Sequence, residues 1–290
     1  MTGRPNSIPR VSFEFFPPVT RDAEPGLLDT VDRLAPLGPE FVTVTYGAGG
    51  GSRDRSDRTL RHLFARGDLD VVAHLTCVGA SRTEIEETVL AWAKIGVRRF
   101  VALRGDMPRI GDPFQAHPRG YASAVDLVAG LRRLGDFDIS VGAYPEVHPE
   151  ASSPAADIEH LKRKLDAGAA RAITQYFFEP EAFLRFRDRA ARAGIEQAIV
   201  PGILPVFDFE KVATFSRKCG ARIPAWLAQR FEGLDSETQD LVAVTTASEI
   251  CGRLRTEGIT QFHFYTLNRA SLTHAICRTL GLRPNLERAA

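Results

Sequence analysis

Glu14 sits inside Val11-Ser12-Phe13-Glu14-Phe15-Phe16, the most apolar strand-like run of the chain, which Pro17-Pro18 stops. Alternation puts Ser12, Glu14 and Phe16 on one face and Val11, Phe13 and Phe15 on the other. A carboxylate among phenylalanines is costly to desolvate without partners. Burial would raise its pKa towards the range where it can act as an acid near neutral pH. The segment alone fits a half-exposed edge-strand glutamate equally well. Similar polar groups recur after other apolar runs: Thr45-Tyr46-Gly47-Ala48-Gly49-Gly50-Gly51-Ser52, His74 with Thr76, Arg104-Gly105-Asp106, Tyr144-Pro145-Glu146-Val147-His148, Thr174-Gln175-Tyr176, and Tyr265-Thr266 leading to Asn268-Arg269. Any one of these reads as a loop polar group or strand cap; their convergence is what points to a site.

The runs that would carry these groups are Val11–Phe16, Phe41–Tyr46, Val71–Thr76, Arg99–Leu103, Ile139–Tyr144, Ala172–Tyr176, Ala198–Ile203 and Phe262–Thr266. The first three start about 30 residues apart, one β/α unit. Between the runs lie well-marked helices. Ser81-Arg82-Thr83-Glu84 is a capping box opening a helix with Ile85, Val89, Trp92 and Ile95 on one stripe, closed by Gly96. Ser153-Pro154 reads as N-cap and N1 proline of a helix that turns Ile158, Leu161 and Leu165 inward and stops at Gly168. A third follows Asp235-Ser236, carries Leu241, Val244, Cys251 and Leu254, and ends near Gly258; Ile223–Phe231 reads as an extra helix before the last strand. Eight strands alternating with helices and no evident linker predict one α/β domain over 1–290, a (β/α)8 TIM barrel, with a doubly wound open sheet as runner-up. In a barrel, the polar groups above gather at the C-terminal strand ends, where barrel chemistry is built.

Composition narrows the class. The 290 residues are 44% hydrophobic and 25% charged with a formal net charge of +1, so no global field favours nucleic acid. Met1–Arg10 lacks an apolar signal region, and the apolar run Ala198–Phe209 is broken by Pro201 and Pro205, which predicts a cytoplasmic protein without membrane spans. Cys77, Cys219, Cys251 and Cys277 are far apart and read as reduced thiols. No H-E-x-x-H or Cys/His cluster occurs, so no metal is expected. None of the five lysines lies at a strand end, which disfavours Schiff-base chemistry. Gly47-x-Gly49 lacks the third glycine of a dinucleotide fingerprint and reads as a loop open to close ligand approach. An acid, a carboxylate beside an arginine, amides, hydroxyls and aromatics suit an organic cofactor with its own reactivity. Asp157, His160 and Lys164 share a helical face with Arg163 beside it: either a solvated surface, or a place to hold ribose hydroxyls and a pyrophosphate.

Taken together, Ser12–Pro18, Val44–Ala48, His74–Cys77, Ala102–Asp106, Tyr144–Ala151, Ile173–Phe178, Pro201–Pro205 and His263–Ala270 resemble 5,10-methylenetetrahydrofolate reductases, in order and over nearly the whole chain. The length resembles the bacterial form, the catalytic domain without a regulatory one. The resemblance implies a barrel with noncovalent FAD at the strand ends and a ping-pong cycle: NADH or NADPH reduces the flavin and leaves, then methylenetetrahydrofolate takes a hydride and becomes 5-methyltetrahydrofolate. It implies Glu14 as the catalytic acid for ring opening and Asp106 as the charge that tunes the flavin and contacts the pterin. Gln175 would contact substrate, Arg269 the benzoyl-glutamate end, and Phe215 would cover nicotinamide or folate, unless it is simple core packing. Thr45 would lie near the nicotinamide. FAD contacts would come from Tyr46, Ala48, His74, Arg104, Gly105, Asp106, Ala122, Tyr144, His148, Ala151, Asp157, His160, Arg163 and Lys164. A homo-oligomer, dimer or tetramer, is expected.

Three departures stand out. His160 replaces an asparagine of bacterial relatives, Lys211 replaces a glutamine that contacts folate and would favour a polyglutamylated tail, and the Met107–Gly120 loop is long. Rival readings are the same chemistry run oxidatively for C1 disposal, a non-catalytic flavin or folate binder, and a flavin barrel of proline-dehydrogenase type. Joint presence of Glu14, Asp106 and Gln175 argues against a binder.

Overall fold

A computed structural model describes residues 8–46, 50–107 and 114–285, with residues 50–52 and 218 described by backbone alone. Runs of β-branched and aromatic residues form eight strands: β1 (Arg10–Phe15), β2 (Phe41–Val44), β3 (Val71–Thr76), β4 (Arg99–Leu103), β5 (Asp138–Ala143), β6 (Arg171–Tyr176), β7 (Ala198–Ile203) and β8 (Gln261–Tyr265). All neighbours are parallel and β8 pairs with β1, closing the barrel in sequence order. The closed (β/α)8 barrel replaces the open-sheet alternative. It also disposes of the edge-strand reading of Glu14, because β1 is paired on both sides and Glu14 is 6% exposed.

The helices among the described residues are α1 (Glu24–Leu34), α2 (Gly50–Ala65), α3 (Arg82–Lys94), α4 (Ala124–Leu134), α5 (Pro154–Asp166), α6 (Pro180–Arg192), α7 (Phe209–Cys219), α8 (Ala225–Phe231), α9 (Ser236–Thr256) and α10 (Ala270–Thr279). The Ser81–Glu84 capping box opens α3, and Ser153 caps α5 with Pro154 at its first position. The extra helix expected over Ile223–Phe231 is α8. Leu241 departs from its expected place: it is exposed on α9, whose buried stripe runs instead through Ala243, Ala247, Ile250, Cys251 and Leu254. None of these helices is long and apolar enough to cross a membrane.

Strand alternation separates two cores. Phe13, Phe15, Val42, Leu75, Ala102, Val141 and Phe262 face the helices in the larger one. Inside the barrel, Phe41, Val72, Val101, Ile173 and Val200 pack together with Leu103 against them. Beneath, at the N-terminal ends, Arg99 and Arg171 lie over the Phe41 ring, 4.8 and 5.8 Å from its centroid, both bonded to Asp138 at 3.0 Å. The barrel is thus plugged from below, and its polar interior groups lie above the plug. A small core from α7, α8 and α9 with Tyr176, Phe178 and Leu204 roofs the β6–β8 side.

Candidate active site

The β1 backbone around Glu14 is pinned from the turn that follows β8. The Thr266 amide and hydroxyl both donate to the Glu14 carbonyl, at 3.3 and 2.6 Å. Asn268, left-handed at φ 55°, accepts from the Phe16 amide at 2.9 Å and donates to the Phe16 carbonyl at 2.8 Å. Asparagine tolerates that conformation and its amide matches both backbone groups.

Two imidazoles flank the Glu14 carboxylate. His74 Nε2 lies 3.5 Å and His263 Nε2 3.8 Å from Oε2, while His263 Nδ1 bonds the Ser12 hydroxyl at 2.8 Å. Burial lowers the His74 pKa against the opposing pull of Glu14, so its ring is neutral at ordinary pH. These groups share a pocket of about 140 Å³ with Tyr144, Gln175 and Tyr265. Gln175 Oε1 accepts from the Tyr176 amide at 3.0 Å, which leaves the Nε2 end as its donor. The Tyr265 hydroxyl donates to the Thr174 carbonyl at 2.8 Å, and burial holds its pKa well above the usual range.

Leu103, Gly142 and Tyr144 also border a cleft of about 320 Å³ between the β4 and β5 ends and α5. It brings together Arg104, Gly105, Asp106, Tyr144, His148, Ala151, Asp157, His160 and Lys164, nine of the residues expected to hold a flavin. Gly105, at φ 82°, makes a turn that other residues rarely adopt. Lys164 is buried and donates to the Gly142 carbonyl; burial brings its pKa down to about 8. His160 is lowered to about 4 by burial, then by Lys164 and Arg163. His148 is lowered by burial and then Arg104. Tyr144 is raised to about 12 by burial, then Asp106. The loop between carries Val147 at φ 75°, a strained conformation for a β-branched residue.

Other expected residues lie around this cleft or away from it. Arg163 contacts His160 Nδ1 at 3.1 Å. The Ala122 amide donates to Asp126 at the start of α4. Tyr46 meets Trp92 edge-on at 5.6 Å and lines a separate depression between α2 and α3; Thr45 donates its amide to Phe15 and accepts from Ser56. On α7, Phe215 is half-exposed and stacks 6.3 Å from Tyr176, so it is not core packing. Lys211 is exposed and paired with Asp208 at 2.9 Å. Arg269 lies 5.0 Å over the Phe207 ring and 3.7 Å from Asp240. Ala48, and residues 108–113 of the Met107–Gly120 loop, fall outside the described residues. Sequence reasoning assigned no role to His263 or Gly142. The first was readable by its alternation with Tyr265 on β8. The second carries no side-chain signal at all.

Residues 4–281 match the family profile described as Methylenetetrahydrofolate reductase. The chain is 51% identical over 278 residues to "5,10-methylenetetrahydrofolate reductase" of Escherichia coli (strain K12), covering 95% of this chain and 92% of that one. It is 50% identical over 280 residues to the protein of the same name from Pectobacterium carotovorum subsp. carotovorum, covering 96% and 92%. "Methylenetetrahydrofolate reductase (NADH) 1" of Arabidopsis thaliana is 34% identical over 93% of this chain and 48% of its own length. A solved structure described as an uncharacterized protein from Clostridium thermocellum that binds two copies of 5-methyl-5,6,7,8-tetrahydrofolic acid shares the fold, with a TM-score of 0.63 at 15% identity and coverage of 94% and 93%. The chain belongs to the methylenetetrahydrofolate reductase family.

Proposed function

We propose that the chain reduces 5,10-methylenetetrahydrofolate to 5-methyltetrahydrofolate with electrons from NADH or NADPH, through noncovalent FAD, the two substrates taking turns at one site. The observation that carries this reading is that the cleft and the pocket around buried Glu14 share Leu103, Gly142 and Tyr144 as a common wall. Features of the chain fit a flavin nucleotide. His74 Nε2 and Thr76 Oγ1 are buried polar atoms with no hydrogen-bond partner at the barrel mouth, and such groups call for a ligand or water. Gly142 places no side chain where cleft and pocket meet, and Arg104 with the α5 face offers cationic and hydroxyl-binding groups. Bound there, FAD supplies hydride chemistry that side chains lack.

Glu14 holds the proton that the amine nitrogen takes as the five-membered ring of the folate opens. Among the described residues, the basic groups within 4 Å of its carboxylate are imidazoles, and the neutral His74 places no fixed cation against it. Gln175 offers its amide N–H to the substrate, and Asp106 keeps a negative charge beside the flavin and accepts from the pterin. Phe215 covers the bound substrate, and Thr45 lies towards the nicotinamide. Arg269 takes the glutamate carboxylate, and Lys211 favours a longer polyglutamate tail; equal KM values for mono- and polyglutamate substrates would remove that role. A cytoplasmic homo-oligomer belongs to the same reading.

Anaerobic visible spectra test the whole. Yellow protein should bleach with NADH or NADPH and recolour on adding methylenetetrahydrofolate. Protein that stays colourless after reconstitution with FAD, or that bleaches and never recolours with folate, would overturn the proposal.

A further inference from the structure

Arg104 is held by an ion pair that the reaction itself does not call for. Both Nη atoms donate to the two carboxylate oxygens of Glu150, one of them at 2.9 Å, so the contact is bidentate. Phe114 lies against the guanidinium face, 4.6 Å from centroid to Cζ. Glu150 is itself tied down: its amide donates to His148 Nδ1 at 3.1 Å, and the His148 amide donates to Asp157 Oδ2 at 3.0 Å. A continuous belt thus runs from α5 through the β5–α5 loop to the end of β4, around one side of the cleft. Among the described residues Glu150 is the only acceptor holding Arg104, and it engages two of five donors. A long side chain that would otherwise sample many rotamers is therefore pre-set at the cleft wall, and the entropy of ordering it is lost on folding rather than on binding.

We propose that Glu150 is a positioning residue for the flavin nucleotide: it fixes the Arg104 guanidinium at the cleft wall so that its remaining donors meet the anionic part of the cofactor. The inference rests on the reading that this cleft takes FAD. The opposite arrangement, in which Glu150 occupies Arg104 as a competitor that the cofactor must displace, predicts the reverse sign and is an outcome of the same test.

The test is FAD affinity of the apoprotein, read by quenching of flavin fluorescence, for wild type, E150Q, E150D, R104A and the E150Q/R104A double variant. Apoprotein Tm values and the salt dependence of Kd are recorded alongside. E150Q should raise Kd about tenfold, as expected when one charge-assisted contact loses its alignment. E150D should recover part of that loss. E150Q should add nothing in the R104A background, since Glu150 acts through Arg104. Kd should also depend less steeply on salt in E150Q than in wild type, which a loss of stability alone would not produce. Equal or tighter FAD binding by E150Q, or the same penalty with and without Arg104, overturns the proposal. Wild-type protein that binds no FAD would overturn the reading of the cleft instead.

Discussion

Glu14 and Asp106, to which we assign different parts of the proposed reaction, meet different surroundings. Glu14 is 6% exposed between two imidazoles in the barrel mouth, whereas Asp106 lies beyond β4 in the open cleft beside Arg104. Replacing Glu14 by Gln keeps shape and removes the proton. NAD(P)H should still bleach the flavin at near wild-type rate, while folate reduction should fall by about 10²–10⁴, the usual contribution of a general acid. Stopped-flow spectra of the two half-reactions check this, and loss of both would mean the role is misassigned. Asp106→Asn removes a negative charge beside the proposed flavin site, so the flavin potential should rise and hydride delivery to folate should slow. Potentiometric titration reads the first effect directly; an unmoved potential would sink the tuning role.

Helix α5 concentrates charge on a face that the barrel half buries. His160 has an ordinary pKa of 6.5 that is lowered to about 4 in the folded protein. Between those values the unfolded chain binds a proton that the folded one refuses, so His160 costs stability progressively as pH falls through that window. His160→Asn removes that titrating ring, and the variant's apoprotein Tm should drop less than wild type's on going from about pH 7 to about pH 4.5. Parallel curves would show that the ring is free to charge. Strands β6, β7 and β8 depend on a missing side chain. A Cβ at Gly202 would stand 2.2 Å from the Thr174 carbonyl oxygen and 2.6 Å from the Tyr265 ring, while the Gly202 amide donates to the Thr174 hydroxyl. The carbonyl belongs to backbone and cannot step aside, so Gly202→Ala should destabilise by several kcal/mol. Calorimetry of the apoprotein measures it; a Tm within about a degree of wild type would mean the strands can part.

Over the whole barrel, the ion-paired plug and the candidate site sit at opposite ends. Asp138 joins Arg99 and Arg171 against the Phe41 ring at the N-terminal end, far along the strands from the cleft. Asp138→Asn removes the carboxylate that Arg99 and Arg171 share, leaving Arg99 its pair with Asp70, and should cost about 2 kcal/mol, lowering Tm by about 5 °C. FAD affinity should not change, because no residue of this plug borders the cleft. A parallel loss of flavin binding would show that the plug shapes the mouth.

Strand positions, helix starts and the gathering of Glu14, His74, Tyr144 and Gln175 were legible in the chain, because alternation, capping and the rule that barrels work at strand ends are local signals. Expected strand bounds differ from the observed ones by two residues at most, seen where Tyr46 falls beyond β2. Leu241 was misread because a helical stripe predicts only that one face is buried, and α9 turns that residue to solvent. The surroundings of each group were not legible. That Glu14 lies between His74 and His263, that Gly142 both opens the cleft and receives Lys164, and that Glu150 holds Arg104 from 46 residues away all depend on which strands become neighbours. Residue types and periodicity fix what each segment can offer, but desolvation, ion pairing and hydrogen-bond geometry are properties of the space between segments, and only closure of the barrel creates that space.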